Sequence, residues 1–99
     1  MVEINFDKLD RTLVLAELSC NHLQSFDIAV RTIEAMKKAG ADVVKVQNDN
    51  PDGGITIDCD NEYFQIGGGT LWDGKTLNKL YKETYTPWEW LPKLQKVAR

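Results

Sequence analysis

Residues 13–22 decide the fold, and they read Leu13-Val14-Leu15-Ala16-Glu17-Leu18-Ser19-Cys20-Asn21-His22. The run opens on apolar residues, which is typical of a strand that helices cover. It ends in a carboxylate, a hydroxyl, an amide and an imidazole. Because α/β proteins place their functional groups at the carboxyl ends of strands, this stretch predicts a strand, over about residues 12–18, that leads directly into a functional site.

A helix and a second strand follow the first strand. Ser25 is the predicted N-cap of a helix over about residues 27–39, and Gly40 is the predicted C′ residue that ends it. The second strand, residues 42–47, carries Lys45 and Gln47 two positions apart and therefore on one face. Two successive strands with polar groups at the same end predict an α/β fold with one shared site.

The chain from residue 48 to residue 72 has no helical period. About 25 residues is long for a plain connection inside a compact domain, so we predict a functional loop here. Residues 55–57 and 63–66 are candidates for short strands within it.

Two further helix starts are predicted after the loop. The first helix is expected to begin at Asp73, because apolar residues follow at helical spacing. For the second helix, Thr86 is the predicted N-cap and Pro87 the predicted first residue. The apolar face of this second helix is predicted to consist of Trp90, Leu94 and Val97.

Composition excludes several classes of function. The 99 residues include 12 Lys and Arg against 15 Asp and Glu, so the net charge of −3 predicts no basic surface for nucleic acid. The sequence has no apolar run long enough to predict a membrane partner and no pattern of a secretory signal. Cys20 and Cys59 fit no metal-binding spacing and are expected to be reduced thiols of a cytoplasmic protein.

Glu17, Lys45 and Gln47 are the leading candidates for chemistry. A carboxylate beside a lysine can accept a proton or bind a sugar hydroxyl, although Glu17 could also be a charge at the rim of the sheet. Lys45 is costly to bury without an anion, so it indicates either an anionic substrate or Schiff-base chemistry. Gln47 can donate its amide to the same anion, or can be a polar strand end.

Asn21 and His22 complete the candidate site. His22 is the only histidine, and a lone histidine is more often structural than a metal ligand, so no metal is assigned to it. Together with Asn21, it is predicted to shape the loop at the site and to contact substrate. The three tryptophans are expected to pack helices together, with stacking on a sugar as the alternative; they are Trp72, Trp88 and Trp90.

The chain resembles the sialic acid synthase family, and within it the pseudaminic acid synthase branch, in three stretches. They are A-E-L-S-C-N-H from Ala16, A-G-A-D-V-V-K-V-Q from Ala39, and L-W-D-G-K-T-L-N-K-L-Y-K-E-T-Y-T-P-W-E-W from Leu71. The third stretch is the most specific because it matches in order over the longest span. The resemblance covers roughly residues 13–99.

The resemblance implies a (β/α)8 TIM barrel, a fold that needs about 250 residues. The chain is therefore expected to be the N-terminal portion of an enzyme. Residues 1–99 would form a partial barrel domain of about two βα units, a long loop and an extra helix. The helical pattern reaches Arg99 without a Gly or Pro stop signal, which supports truncation. The remaining barrel and a C-terminal antifreeze-like domain are expected beyond Arg99.

The resemblance also implies a reaction, the condensation of phosphoenolpyruvate with an amino-sugar aldose to a nine-carbon sialic-acid-like sugar. It places Glu17 at the active site near the sugar, and it supplies phosphoenolpyruvate as the anion for Lys45 and Gln47. Schiff-base chemistry is thereby disfavoured. A divalent metal, Mn²⁺ or Mg²⁺, is expected in the intact enzyme, with ligands outside this chain, and the intact enzyme is expected to be a homodimer.

Two positions depart from the family pattern. Gln24 stands where the family commonly has Gly, and Asn48 stands where it usually has Thr or Ser. Both flank the charged residues of the site. A second class of function therefore stays open, in which the chain is a non-catalytic α/β fragment that acts only as an association or structural module.

Overall fold

The computed structural model describes residues 4–99, which form an α/β arrangement around a two-stranded parallel sheet. Strand β1 is Leu15–Ser19 and strand β2 is Val43–Val46, with helix α1, Phe26–Lys38, between them. Helices α2, Leu77–Thr84, and α3, Leu91–Ala98, follow a long loop. The predicted fold class of α/β and the order of the first three elements are confirmed, although both strands are shorter than predicted.

The register of the sheet sets two charged residues side by side. Leu15 lies opposite Val43, and Glu17 lies opposite Lys45. The register then shifts between Glu17 and Ser19, and the backbone of Ser19 is left-handed with φ of 56°. An irregularity of this kind at the end of a strand re-aims the side chains that follow it.

Helix α1 has the predicted residues at its two ends, Ser25 and Gly40, and its bounds lie one residue earlier than predicted. The Ser25 hydroxyl accepts a hydrogen bond from the Ile28 N–H, which satisfies one of the unpaired amides of the first turn. After the helix, Gly40 has φ of 92°, a conformation that glycine adopts without steric penalty. These local signals fix the orientation of α1 between the two strands.

The core lies between the sheet and helices α1 and α3. Its fully buried apolar residues are Leu18, Ala29, Ile33 and Leu94. Partly buried residues surround them, among them Trp90 and Val97, so the predicted apolar face of the last helix is confirmed. The radius of gyration is 16.2 Å, against about 13 Å for a compact domain of 100 residues, so the chain is more extended than such a domain.

The helix predicted to begin at Asp73 begins at Leu77, and Thr76 is its N-cap. Asp73 instead closes a local turn, since its carboxylate accepts hydrogen bonds from the Thr70 hydroxyl and from the backbone N–H groups of Gly69 and Thr70. These hydrogen bonds lower the pKa of Asp73, and the one from the Thr70 hydroxyl has the largest effect. A carboxylate committed to a turn does not cap the helix that follows it.

Two other predictions on the second half of the chain are wrong. Thr86 does not cap a helix, because the 3-10 helix Trp88–Trp90 starts after Pro87 without a side-chain cap. The long loop holds a 3-10 helix, Pro51–Gly53, and residues 55–57 and 63–66 do not form strands. Gln65 makes only an isolated antiparallel bridge, to Thr76.

An ion pair ties the start of β1 to the start of β2. The Arg11 guanidinium donates to both carboxylate oxygens of Asp42, at 2.8 Å from Nη1 to Oδ2, and the Val14 N–H also donates to Oδ2 at 2.9 Å. The hydrogen bond from Arg11 holds the pKa of the Asp42 carboxyl well below its ordinary value. The contact therefore stabilises the fold above the unfolded-state pKa of Asp, about 3.9, and is lost as the pH falls through the lower folded-state pKa.

We expect Asp42→Asn to lower the free energy of unfolding at pH 7 and to change it progressively less as the pH falls below about 4. The measurement is urea unfolding of both proteins at a series of pH values. If the difference in the free energy of unfolding between the two proteins stayed constant down to the lowest pH, the Asp42 carboxylate would not stabilise the fold through its charge.

Candidate functional site

Glu17 and Lys45 form an ion pair on the open face of the sheet. Nζ of Lys45 and Oε2 of Glu17 are 2.6 Å apart. The Lys45 side chain is 52% exposed and the Glu17 side chain is 39% exposed. Val44 and Val46 alternate with Lys45 and pack against the core on the other face. The desolvation cost expected for Lys45 does not apply in this structure, because the ammonium is half-exposed and already paired.

Gln47 lies next to this pair and is oriented by its own contacts. Its Oε1 accepts a hydrogen bond from the Ser19 hydroxyl, and its Nε2 lies 3.4 Å from Oδ2 of Asp49. The amide oxygen is thus engaged by Ser19, and one of the two N–H donors is engaged by Asp49. Glu17 and Lys45 meet within the sheet, and Gln47 follows at the carboxyl end of β2.

Asn21 and His22 are separated by the turn that follows β1. The Asn21 side chain is exposed, in the turn that follows the carboxyl end of β1. The His22 side chain is fully buried and points into the fold, where it contacts the Trp90 ring edge-on with 5.3 Å between centroids. The turn thus presents Asn21 to solvent, while the imidazole of His22 lies inside the fold.

His22 makes two hydrogen bonds inside the fold. Nδ1 accepts from the Gln24 N–H at 3.0 Å, and Nε2 lies 2.8 Å from the Thr86 hydroxyl oxygen. Burial lowers the pKa of His22, since the imidazolium would lose its hydration. The imidazole is therefore neutral near pH 7 and links Gln24 to Thr86 through hydrogen bonds.

Three residues outside the predicted site set also shape the site, and only Gln24 among them was singled out from the sequence. Ser19 orients Gln47, and Thr86 contacts His22. Gln24 has φ of 51°, a left-handed conformation that glycine adopts without steric penalty, and its side-chain amide donates to the Tyr85 carbonyl at 3.0 Å. The unusual Gln24 was a visible signal in the sequence, whereas the long-range contact of Thr86 had none.

Neither a metal site nor a membrane segment emerges from the described residues. Among residues 4–99, no three His, Cys, Asp or Glu side chains form a group that could hold a metal ion. The helices of this same part of the chain are too short and too polar for any of them to cross a membrane.

Comparison with known proteins gives consistent matches. A family model described as the NeuB family matches residues 32–99. The pseudaminic acid synthase of Campylobacter jejuni serotype O:2 is 42% identical over 95 residues, which is 96% of this chain and 27% of that protein. The pseudaminic acid synthase of Helicobacter pylori is 41% identical over 86 residues, which is 87% of this chain and 25% of that protein. The chain spans about a quarter of the length of these curated relatives.

Proposed function

The chain belongs to the NeuB family, and from this premise we propose that it forms the first part of a synthase that condenses phosphoenolpyruvate with an amino-sugar aldose. The resemblance to sialic acid synthases, and to pseudaminic acid synthase among them, is confirmed by the family match and by the relatives. The proposed product is a nine-carbon sialic-acid-like sugar, and the proposed location of the enzyme is the cytoplasm.

One observation carries the proposal. Glu17 and Lys45 lie opposite each other in register and are paired, and Gln47 follows at the carboxyl end of β2, where the Ser19 hydroxyl binds its side chain. The carboxyl ends of the strands are where barrel enzymes assemble their sites. A cation, a carboxylate and an amide at one point suit a substrate pair of which one is an anion and the other a polyhydroxylated sugar.

Lys45 and Gln47 would bind phosphoenolpyruvate. A lysine ammonium has three N–H donors, and Glu17 accepts from it at one point, so donors remain for a phosphate or carboxylate oxygen. Gln47 adds one further N–H donor, since its amide oxygen is bonded to Ser19 and its other N–H to Asp49. Charge-assisted hydrogen bonds of this kind are stronger than neutral ones, and they would orient the enol carbon.

Glu17 would act on the sugar. Its carboxylate lies directly beside the Lys45 ammonium, which would bind phosphoenolpyruvate, so the two substrates would meet next to this ion pair. There the carboxylate can accept a hydrogen bond from a sugar hydroxyl or take up a proton. Asn21, exposed in the turn that follows β1, would contribute an amide to the sugar.

A divalent metal, Mn²⁺ or Mg²⁺, enters the proposal only through the resemblance. The described residues 4–99 do not fit such a metal, because their acidic, histidine and cysteine side chains do not converge in a ligand set. No step derived from this chain therefore depends on it. A homodimeric intact enzyme is proposed on the same grounds.

The arrangement of the core supports a larger barrel around this sheet. An apolar groove of about 450 Å³ lies along β2 on the face opposite Lys45. Its walls come from β2, α1 and α3, including Val44, Val46, Ile33 and Leu94. In a (β/α)8 barrel, the side chains of a third strand and its helix would fill this space.

A chimeric synthase tests the proposal. This chain would replace the matching segment of the Campylobacter jejuni pseudaminic acid synthase, and phosphate release from phosphoenolpyruvate plus an amino-sugar aldose would be measured. We expect activity that requires both substrates. A chimera that folds and melts like the parent relative but releases no phosphate, while the parent does, would contradict the proposed function.

The 99-residue chain alone is expected to have no synthase activity. Its described residues supply two strands of the sheet and no metal ligand set, so phosphoenolpyruvate would be bound on one side only. The same phosphate-release assay on the purified chain checks this. Metal-dependent phosphate release that tracks the purified chain through a final chromatography step would disprove it.

A further inference from the structure

Thr86 connects the ends of both strands, although it lies between α2 and α3. Its side chain is fully buried, and its Oγ1 lies 2.8 Å from Nε2 of His22 and 3.4 Å from the Ser19 carbonyl oxygen. Its backbone N–H donates to the Gln47 carbonyl at 2.9 Å. One residue therefore contacts the turn after β1, the end of β1 and the residue that follows β2.

The directions of these hydrogen bonds follow from the donors available. The Gln24 N–H donates to Nδ1 of His22, so Nδ1 carries no proton. The neutral imidazole then carries its proton on Nε2 and donates it to the Thr86 oxygen. The Thr86 hydroxyl is left free to donate its own proton to the Ser19 carbonyl. The hydrogen bonds that link Gln24, His22, Thr86 and Ser19 are therefore all satisfied with only one placement of the protons.

A second contact from the same segment secures the end of β2. The Trp88 indole N–H donates to the Asn48 carbonyl at 2.8 Å. The Gln47 N–H donates to the Ser19 carbonyl at 3.2 Å, so the two residues whose side chains bond each other are also joined through their backbones. The backbone of Ser19 is left-handed, a conformation that persists only when its surroundings enforce it.

We propose that Thr86 is a positioning residue, whose hydroxyl accepts the Nε2–H of His22, donates to the Ser19 carbonyl and so holds Ser19 and Gln47 in the orientation that aims the Gln47 amide at the anion. That the Gln47 amide faces an anion rests on the proposed function. The orientation of the Gln47 side chain does not, because it is a property of the free chain. Thr86 touches no substrate in this account and acts only through Ser19, His22 and Gln47.

Three variants of the 99-residue chain separate positioning from simple packing. Thr86→Val keeps the shape and removes the hydroxyl, and Thr86→Ser keeps the hydroxyl and removes a methyl group. The matched control is Thr32→Val, which removes a hydroxyl that bonds only to the Ile28 carbonyl within α1. His22 is the only histidine, so selective ¹⁵N-histidine labelling reports its two ring nitrogens without assignment.

In the unmodified chain at pH 7, we expect nitrogen shifts of a neutral imidazole protonated on Nε2. Thr86→Val should displace the His22 ring signals and the side-chain amide signals of Gln47. It should also speed hydrogen exchange of the Gln47 N–H about threefold to tenfold, the effect of one lost net hydrogen bond. Thr86→Ser should restore all three readings, and Thr32→Val should leave them unchanged.

Two results would overturn the proposal. One is an imidazole of the unmodified chain that is protonated on Nδ1 or charged at pH 7, a reading that needs no variant and stands even if Thr86→Val fails to fold. The other is a folded Thr86→Val chain with unmoved Gln47 amide signals and a lower melting temperature, which would assign Thr86 to packing alone. Phosphoenolpyruvate is absent from every measurement, so failure of the proposed function would appear only in the chimera.

Discussion

Replacing Lys45 by Met in the chimeric synthase is expected to lower phosphoenolpyruvate affinity about ten- to a hundred-fold. Methionine keeps the length and apolar stem of the side chain and removes its charge. A hydrogen bond to a charged group contributes about 1.5–3 kcal/mol, and about 1.4 kcal/mol corresponds to a tenfold change in affinity. Calorimetric titration with phosphoenolpyruvate measures the change, with Lys79→Met on the exposed surface of α2 as the matched control.

The fold should tolerate this substitution. The ion pair of Lys45 with Glu17 is half-exposed, and exposed ion pairs contribute about 0–1 kcal/mol to stability. The sequence suggested a buried cation, but the observed exposure leaves no desolvation cost to recover, so the melting temperature should hold without rising. A Met variant that keeps affinity and loses stability would make Lys45 a structural partner of Glu17. A borohydride-trapped adduct on Lys45 would instead establish Schiff-base chemistry.

Replacing Leu94 by Ala should unfold most of the isolated chain. Leu94 is 3% exposed and is one of four fully buried apolar residues in the core. Removing a buried leucine side chain costs about 2–5 kcal/mol, and whole domains are stable by only about 5–15 kcal/mol. A chain this short and extended stands at the low end of that range.

Circular dichroism during urea unfolding checks the Leu94 prediction. Leu71→Ala is the matched control, since Leu71 is 94% exposed and its removal should change stability by less than about 0.5 kcal/mol. If Leu94→Ala unfolded at the same urea concentration as Leu71→Ala, the packing of α3 on α1 and β2 would not be what holds this chain together.

The sequence by itself determined the elements whose signals are local. As predicted, Ser25 caps the start of helix α1 and Gly40 follows its end, because both signals act within a few residues along the chain. The alternation of side chains in a strand similarly predicted Lys45 on the face opposite Val44 and Val46, which pack against the core. A parallel βα unit brings the carboxyl ends of its strands together, so the meeting of Glu17 with Lys45 followed from the order of elements.

Only the tertiary structure decided where His22 and Thr86 point. Thr86-Pro87-Trp88-Glu89 has the local pattern of a helix start, yet the Thr86 hydroxyl bonds to His22, 64 positions earlier in the chain. A buried imidazole without a partner is more costly than a helix end that water can reach, so the distant contact prevails over the local one. The separation of His22 from the exposed site has the same physical reason, since its donors and acceptors are matched by groups that come near it only when the chain folds.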